Sequence, residues 1–458
     1  MFFGMTLCGI CVIVIFVCAG LLVPNKIVIR KQTEHKRTFA VPIVVDNFLK
    51  QIGYTQNISE PAYKTAPFGK DHLVPLWELT HKALDLKNLK ERLQILPIKC
   101  FTGSEGMFPT KYEKLFQSLA AYATFHSEVS DAHQLIWKCD YADGYCGGLA
   151  DRLRGIAYTL LLAVFSRRRL LLSWKMPYGE HIFFKPNLIN WATDDTNTES
   201  TATFRLMNNM STKSIPAAMN AIGSNLTKVA ISTNLELEAV NKQILRPQWL
   251  IDGMKRTGLD VLTNKDINEI FGIAFRYLFQ MGKDLSLAVN SAEHLLGLDK
   301  KKYVAVHVRA GFAGSAHPEK RRVAKILRER EQWEQMLLCA VSMANVNVGS
   351  DSLIFLATDS KIVKDLAARM YGSRFKTLNV TLTHTRRIEL NIASIEGLLS
   401  SLVDFFLLAQ SYVIVKAGSD WINGSGFSIG ASQLCGIPGG QRIDGRENCT
   451  PEDKLVPS

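Results

Sequence analysis

Short apolar runs alternate with amphipathic stretches along most of the chain from about Leu135 onward. In the stretch 151–166, apolar residues such as Leu153 and Ile156 recur at helical spacing, and the apolar run 170–174 that follows it predicts a strand. Strands that alternate with amphipathic helices are typical of parallel sheets. The pattern therefore predicts an α/β fold.

A second α/β block begins near Ser291. Its pattern predicts strands over 303–308, 353–357 and 412–415, and helices over 320–343, 363–371 and 395–409. Two blocks of similar size indicate two Rossmann-like domains that face a cleft. Because sheets of this kind bind ligands outside the carboxyl ends of their strands, the polar residues at those ends are the candidates for function.

The first 24 residues carry no charged side chain. This is slightly more than the ~20 apolar residues that span a bilayer, and a basic region typical of a cleaved signal peptide is missing. We therefore expect an uncleaved membrane anchor, with a long signal peptide as the alternative. The predicted organisation is an anchor at 1–24, a stem and extension at 25–134, an N-terminal Rossmann-like domain at 135–290, a C-terminal domain at 291–438 and a tail at 439–458.

Composition and charge narrow the class of protein. With 47% hydrophobic and 21% charged residues the chain can bury a sizeable core, which excludes a disordered chain. The net charge of +12 suits an anionic partner: a nucleic acid, a lipid headgroup or a phosphorylated small molecule. No nucleic-acid partner is expected, because no interleaving of aromatic and basic residues or known motif supports one.

The N-glycosylation sequons and the cysteines indicate the cellular compartment of the region after the anchor. The basic residues after the anchor would by themselves keep that side in the cytosol. Six N-x-S/T sequons are usable only if it is lumenal: Asn57, Asn209, Asn225, Asn379, Asn423 and Asn448. Six cysteines follow the anchor, and close spacing favours the disulfides Cys139–Cys146 and Cys435–Cys449, with buried free thiols as the alternative. We expect the region after the anchor to be lumenal.

The candidate strand ends of the second block carry polar residues. His307 and Arg309 end the run YVAVHV, and Gly311 follows. A guanidinium there can hold a phosphate through a bidentate fork, although a lone arginine can also pair with a buried carboxylate. After the next strand come Asp359 and Ser360. A contact of Asp359 to a base edge and an N-cap formed by Thr358 or Asp359 are the alternatives.

Two glycine-rich turns complete the candidate site. One precedes the last apolar helix, where free backbone N–H groups can bind phosphate oxygens or simply form a turn; its residues are Ser425, Gly426, Phe427 and Ser428. The other, CGGLADRLRGI, contains Gly147, Gly148 and Asp151. In the alternative interpretation Asp151 caps its helix and Arg152 and Arg154 are surface residues. The run Arg167–Arg169 is predicted to be a solvated helix end.

These residues together resemble the superfamily of α1,2-, α1,6- and protein O-fucosyltransferases. HVRAG at 307–311 is similar to the family's H-x-R-x-G-D motif, ATDS at 357–360 to its second motif, and SGFSIGAS at 425–432 to its third. The turn GGLADRLRGI at 147–156 resembles the N-terminal G-G-x-G-[DN]-R element. The resemblance covers about 141–436, with the four motifs in the family's order.

The resemblance implies a GT-B fold and transfer of fucose from GDP-fucose, with inversion at the anomeric carbon and with no metal and no cofactor. It carries Arg309 over as the residue that neutralises the β-phosphate, His307 as a neighbour of the diphosphate and Asp359 as a contact to guanine. The remaining donor contacts are Gly311, Ser360, Ser425 to Ser428, Gly147 and Gly148. Asp151 is the candidate general base, and the acceptor is a glycan or a glycoprotein hydroxyl.

The sequence departs from the family pattern at two positions. Phe312 stands where the motif has Asp, and Ala150 replaces a usual Gly. Loss of the Asp motivates an alternative function: a catalytically inactive protein of the same fold that binds a nucleotide or a glycan at the membrane. Two further sites, Asp194–Asp195 and the segment THTRRIEL with His384, Arg386 and Arg387, are more typical of solvated loops.

Overall fold

The computed structural model describes residues 41–53, 89, 110–128, 133–139, 147–174, 183–192, 202–206, 214–233, 247–260, 263–299, 301–309, 319–380, 392–417 and 426–435. The predicted anchor at 1–24 lies outside these residues. Within them, no helix combines the length and the apolar character that crossing a bilayer requires.

The first α/β block contains a four-stranded parallel sheet with the order β2-β1-β5-β4. Its strands are β1 (Gln134–Cys139), β2 (Arg169–Trp174), β4 (Ala202–Leu206) and β5 (Lys228–Thr233). A short antiparallel pair, β3 (Phe184–Pro186) with β6 (Phe279–Met281), lies outside this sheet. The helices over this part of the chain are α2 (Glu113–Glu128), α3 (Leu149–Ser166), α4 (Ser214–Gly223), α5 (Gln248–Thr257), α6 (Asn264–Leu278) and α7 (Lys283–Leu296).

The second block contains another four-stranded parallel sheet with the order β10-β7-β8-β9. Its strands are β7 (Val304–Val308), β8 (Ile354–Thr358), β9 (Phe375–Lys376) and β10 (Val413–Ala417). The helices are α8 (Glu319–Asn347), α9 (Lys361–Tyr371), α10 (Ile392–Ala409) and α11 (Gly426–Leu434), while α1 (Val41–Gln51) packs on α7 and α10. The predicted α/β class and both parallel sheets are confirmed.

The core of the second block shows why its strands form. One face of β7 presents Val304, Val306 and Val308, which pack with Leu337 and Ala340 of α8, and all five are at most 1% exposed. Burial of both faces of a parallel strand requires an almost continuous apolar run, as in YVAVHV. His307 is therefore the exception in its strand.

Helix α3 is buried along almost its whole length. Its residues are buried on every side from Leu149 to Phe165 except Asp151, which is half-buried. Gly155 of α3 allows close approach to the sheet, because a Cβ there would lie 2.1 Å from the carbonyl oxygen of Thr233. This helix carries the first glycine turn at its N-terminal end.

Arg168 corrects the prediction of a solvated helix end at 167–169. Its side chain is buried, with the residue 2% exposed, and its guanidinium donates to the backbone carbonyls of Ile222, Ser224 and Leu226 at 2.6, 2.6 and 2.8 Å. The cation thus satisfies the carbonyl groups at the end of α4. Arg167 alone is exposed as expected and ends α3 with a φ of 53°.

Candidate functional site

His307, near the end of β7, lies inside the protein, whereas Arg309, just after the strand, lies at the surface. His307 is 8% exposed, whereas Arg309 is exposed. Burial lowers the pKa of His307 to about 4 because it disfavours the charged imidazolium; the charge of Arg309 lowers it further and that of Asp359 partly opposes this. His307 is therefore a neutral hydrogen-bonding group at neutral pH.

The end of β8 lies beside that of β7. Their register pairs His307 with Ala357 and Val308 with Thr358, so Asp359 follows at the level of Arg309. The hydroxyl of Ser360 caps α9 by accepting from the Val363 N–H at 3.4 Å. The alternative in which Thr358 or Asp359 is the N-cap is therefore wrong.

The capping role of Ser360 affects its predicted contact with the donor. Its residue is 1% exposed, and its N–H is bonded to the hydroxyl of Thr358 at 3.2 Å. The hydroxyl is thus already engaged within the loop. Its contact with guanosine stays a prediction, whereas the Asp359 carboxylate belongs to the strand-end group by its electrostatic effect on His307.

The N-terminal turn of α11 packs on the same group. The ring of Phe427 lies 5.2 Å from that of His307 and 5.4 Å from that of Phe405, centroid to centroid. Ser428 is buried beside it, and Gly426 is the first residue of the helix. The predicted residues Gly311 and Ser425 lie outside the described residues.

The first glycine turn is held by Asp151. Its Oδ2 accepts a bond from the Gly148 N–H at 2.9 Å, and its Oδ1 accepts one from Arg154 Nη2 at 2.7 Å. Gly147 has a φ of +74°, and a Cβ there would lie 2.7 Å from the Cβ of Asp151. The structural alternative for Asp151, stabilisation of its own helix end, is confirmed, and its role as a general base stays a prediction.

Arg152 and Arg154 are not surface residues, contrary to the alternative interpretation of the turn. They are 2% and 6% exposed. Arg152 donates from Nε to the Gly147 carbonyl at 3.2 Å and lies 5.4 Å from the Trp174 ring, and burial lowers its pKa to about 10. The signal was present in the sequence, because a helix that is apolar all round is buried with any charge it carries.

The two turns contact each other although they are far apart in the chain. A Cβ on Gly426 would lie 2.4 Å from Arg154 Nη2 and 3.2 Å from Asp151 Oδ1, and one on Gly430 would lie 3.2 Å from the Ala150 Cβ. Helix α11 also packs on α3, α6 and α10. The described residues of the four motifs therefore lie close together, and both α/β blocks contribute to this group.

One buried polar atom of this site is available to a ligand. Nδ1 of His307 is buried and has no hydrogen-bond partner among the described residues. The charges of Asp359 and Arg309 both act on His307, and Phe427, the second residue of α11, packs on its ring, so the N-terminal end of that helix lies beside it. A neutral imidazole, a guanidinium and helix N–H groups together suit a phosphorylated ligand.

Other candidates from the sequence fall on parts of the chain that the structure does not describe. Asp194–Asp195 and the segment with His384, Arg386 and Arg387 lie outside the described residues, as does Phe312. Within the described ranges, no group of three or more His, Cys, Asp or Glu side chains could hold a metal ion.

Solved fucosyltransferase structures are similar to this chain. Arabidopsis thaliana FUT1, a mutant in complex with GDP, matches with a TM-score of 0.44 and 11% identity over 77% of each chain. NodZ alpha-1,6-fucosyltransferase soaked with GDP-fucose matches with 0.42 and 14% over 66% of this chain and 92% of that one. NodZ from Bradyrhizobium matches with 0.42 and 13% over the same shares. No family model and no curated protein matches the chain.

Proposed function

We propose that this protein is a fucosyltransferase that moves fucose from GDP-fucose to a hydroxyl of a glycan or glycoprotein. The observation that carries the proposal is the convergence of His307, Asp359 and the N-terminal turn of α11 at the carboxyl ends of one parallel sheet, against Asp151 and Arg154 from the other block. These are the positions where sheets of this type bind nucleotides.

The proposed reaction is a direct displacement with inversion. The acceptor oxygen attacks the anomeric carbon, the bond from that carbon to the β-phosphate oxygen breaks, and GDP leaves with the electron pair. Negative charge develops on the departing phosphate, so a guanidinium fixed there lowers the barrier. Arg309 takes this role, and the reaction proceeds without a metal ion or a cofactor.

The donor is held by the remaining groups of the site. The buried Nδ1 of His307 bonds the diphosphate as a neutral group, Asp359 accepts from guanine, and Gly426, Phe427 and Ser428 present the N–H groups of α11 to phosphate oxygens. Gly147, Gly148, Gly311, Ser360 and Ser425 complete the donor contacts.

Asp151 is proposed as the general base. It is the carboxylate of the first glycine turn and lies next to Gly426. A Cβ on Gly426 would be 3.2 Å from Asp151 Oδ1. Its two hydrogen bonds fix the carboxylate in one orientation, and the oxygen lone pairs that remain can take the proton from the acceptor hydroxyl.

A lumenal, membrane-anchored location in the Golgi or endoplasmic reticulum fits this activity. Two of the sequon asparagines, Asn225 and Asn379, are exposed. Cys139, Cys339 and Cys435 are disulfide-bonded, and disulfides persist in oxidising compartments. The predicted partners Cys146 and Cys449 lie outside the described residues, so both pairings stay predictions.

Measurement of turnover by the full chain purified in detergent tests the proposal. With GDP-fucose and a panel of glycan acceptors we expect release of GDP and a fucosylated product, and no product from Arg309→Ala. The substitution should also weaken GDP binding roughly tenfold or more, because a hydrogen bond to a charged group contributes about 1.5–3 kcal/mol. Arg330→Ala is the control, since Arg330 pairs with Glu334 on the surface of α8.

The same measurements also test the alternative function that Phe312 suggests, a protein that binds the nucleotide but does not catalyse transfer. GDP binding that depends on Arg309, without hydrolysis or transfer in any condition, would establish a nucleotide-binding protein that does not catalyse. Absence of GDP binding, with Arg309→Ala indistinguishable from the unmodified protein, would contradict both functions.

A further inference from the structure

A row of polar side chains crosses the first parallel sheet one residue before the carboxyl ends of its strands. The register pairs Lys138 of β1 with Ser173 of β2, and Arg205 of β4 with Ser232 of β5. Lys138 and Ser232 directly follow the last pair of β1 with β5, so they are neighbours as well. Because paired residues of neighbouring strands share a face, the four side chains lie on one face of the sheet. Two residues earlier in three of the strands, the same face carries a small buried apolar cluster: Ile136, Leu171 and Ala230.

The two serine hydroxyls of this row are buried and unpaired. Ser173 and Ser232 are 4% and 1% exposed, and neither hydroxyl has a hydrogen-bond partner among the described residues. By contrast, the buried hydroxyls of Thr159, Ser400 and Ser411 donate to backbone carbonyls at 2.7, 2.8 and 2.7 Å. Burial of an unpaired hydroxyl is destabilising. A ligand with hydrogen-bonding groups would satisfy both serines.

The row adjoins the first glycine turn. Ser173 directly precedes Trp174, whose ring lies 5.4 Å from the guanidinium of Arg152, and Arg152 Nε donates to the Gly147 carbonyl at 3.2 Å. The same turn carries Asp151, the proposed base. Parallel sheets bind ligands outside the carboxyl ends of their strands, and most of the proposed donor contacts follow strands of the second sheet. A ligand at the carboxyl ends of the first sheet is therefore on the acceptor side.

The residue types of the row define the class of ligand. A serine hydroxyl both donates and accepts, which matches the hydroxyls of a sugar. Arg205, next to Ser232, is half-buried on the edge strand β4, and a planar guanidinium binds a carboxylate or a sulfate through two parallel hydrogen bonds. With strands about 4.8 Å apart, the row from β2 to β4 extends over about 14 Å. It is long enough for more than one sugar residue.

We infer that Ser173, Ser232 and Arg205 form an acceptor subsite for an acidic sugar residue, with sugar hydroxyls on the serines and a carboxylate or sulfate on Arg205. The inference rests on the proposed function and deepens it, because it names the class of acceptor as an anionic glycan. None of the four motifs contains these three residues.

The alternative is that the row has only a structural role. Replacement of a serine would then change stability without changing sugar binding. Replacement of Arg205 would affect acidic and neutral oligosaccharides alike, because a residue that only supports the fold does not distinguish them.

Oligosaccharide titrations of the full chain in detergent separate the two roles. The probes are uronic-acid oligosaccharides from pectin, alginate and chondroitin, each beside its carboxyl-reduced neutral form, and sulfated chondroitin beside its desulfated form. We expect an acidic probe to bind about tenfold or more tightly than its neutral form. Arg205→Gln should remove this difference. The control Arg330→Gln, which replaces an exposed, ion-paired arginine, should keep it.

The serines are tested by removal of the hydroxyl alone. Ser173→Ala and Ser232→Ala should each weaken binding of the acidic probe several-fold and leave GDP affinity within twofold. Ser401→Ala is the matched control, because its hydroxyl donates to the Gly397 carbonyl within α10 at 2.8 Å. It should change neither affinity.

Three results would overturn the inference: no binding of any acidic probe, equal affinity for the acidic and neutral forms, or equal losses for both forms in Arg205→Gln. Should Arg205→Gln not fold, as judged by its thermal unfolding, Arg205→Lys is measured instead. It keeps the charge but lacks the fork, so a several-fold loss for the acidic probe alone is expected, and no loss refutes the role. Absence of GDP binding to the unmodified protein would refute the proposed function, whereas GDP binding without a preference for acidic probes refutes only the subsite.

Discussion

Asp404 is a buried carboxyl group that the proposed reaction does not use. It lies on α10, is 5% exposed, and is flanked by the fully buried Val403 and Phe405. Burial raises its pKa to about 7, with the charge of Lys364 partly opposing this. The folded protein therefore holds a proton on Asp404 that the unfolded chain has already lost above about pH 4.

The pH dependence of stability follows from this. Because the pKa is higher in the folded state, the unfolded chain binds fewer protons between about pH 4 and pH 7, and stability is lost as the pH rises through that window. Asp404→Asn removes the titration and keeps the shape. We expect its free energy of unfolding to exceed that of the parent by about 3 kcal/mol at pH 8 and to match it near pH 4.

Denaturant titrations at the two pH values check this. Asp365→Asn is the control, because Asp365 is an exposed carboxylate on α9 and its replacement should have little effect at either pH. The contrary result would be a free energy of unfolding for Asp404→Asn that, measured against the parent, is lower at pH 8 than at pH 4. It would show that Asp404 is charged and favourably paired in the folded protein.

Arg168 shows that an element can depend on one buried cation. It satisfies carbonyls at the end of α4 and in the turn before β5, and its own N–H is bonded to the Ala163 carbonyl at 3.0 Å. Burial without a carboxylate lowers its pKa. We expect Arg168→Met to cost about 3 kcal/mol or more, because several buried carbonyls lose their donors.

The neighbouring residue provides the control for Arg168→Met. Arg167→Ala removes an exposed arginine at the same helix end and should change the stability by no more than about 0.5 kcal/mol. Equal unfolding midpoints for Arg168→Met and the parent would show that the carbonyls find other donors.

The contact between α3 and α11 predicts a compensating pair of substitutions. A Cβ on Gly430 would lie 3.2 Å from the Cβ of Ala150 and 3.4 Å from the Phe405 ring. Gly430→Ala should therefore cost about 1–3 kcal/mol through overpacking. Ala150→Gly restores the glycine that the family motif has at that position, and it should recover much of this loss when combined with Gly430→Ala.

A double-mutant cycle of unfolding free energies measures this coupling. Each single variant serves as the reference for the pair. Additive effects, with no recovery in the double variant, would show that the strain of Gly430→Ala comes from Phe405 or the helix backbone and not from Ala150.

The side of the membrane on which the folded region lies is tested most directly at an exposed sequon. Asn225 and Thr227 lie in the exposed segment between α4 and β5. If this region is lumenal, Thr227→Ala should abolish glycosylation at Asn225 and increase gel mobility, whereas Thr227→Ser preserves the sequon and should leave mobility unchanged. Endoglycosidase treatment of the parent should remove the difference.

The opposite result would be informative. Identical mobility of the three proteins, with no response to endoglycosidase, would place Asn225 outside the lumen and contradict the proposed compartment. The basic residues that follow the apolar segment 1–24 would then indicate the orientation correctly.

Local patterns in the sequence determined the elements of the fold. The periodicity over 151–166 predicted α3 to within two residues at its start, and the strands near 303–308 and 353–357 were likewise placed to within one residue at each end. The positions of His307, Arg309 and Asp359 at strand ends followed from the same pattern. Such predictions succeed because the spacing of apolar residues reflects the geometry of a single helix or strand.

Only the tertiary structure decided which arginine of the run 167–169 is buried and which segments meet at the site. Nothing in the sequence distinguishes the exposed Arg167 from the buried Arg168, or shows that α11 packs on α3 and brings Gly426 against Arg154. The neutral state of His307 also follows from packing against Phe427 and the loss of water around it. Burial and charge state depend on contacts between segments far apart in the chain, and local spacing carries no information about which segments meet.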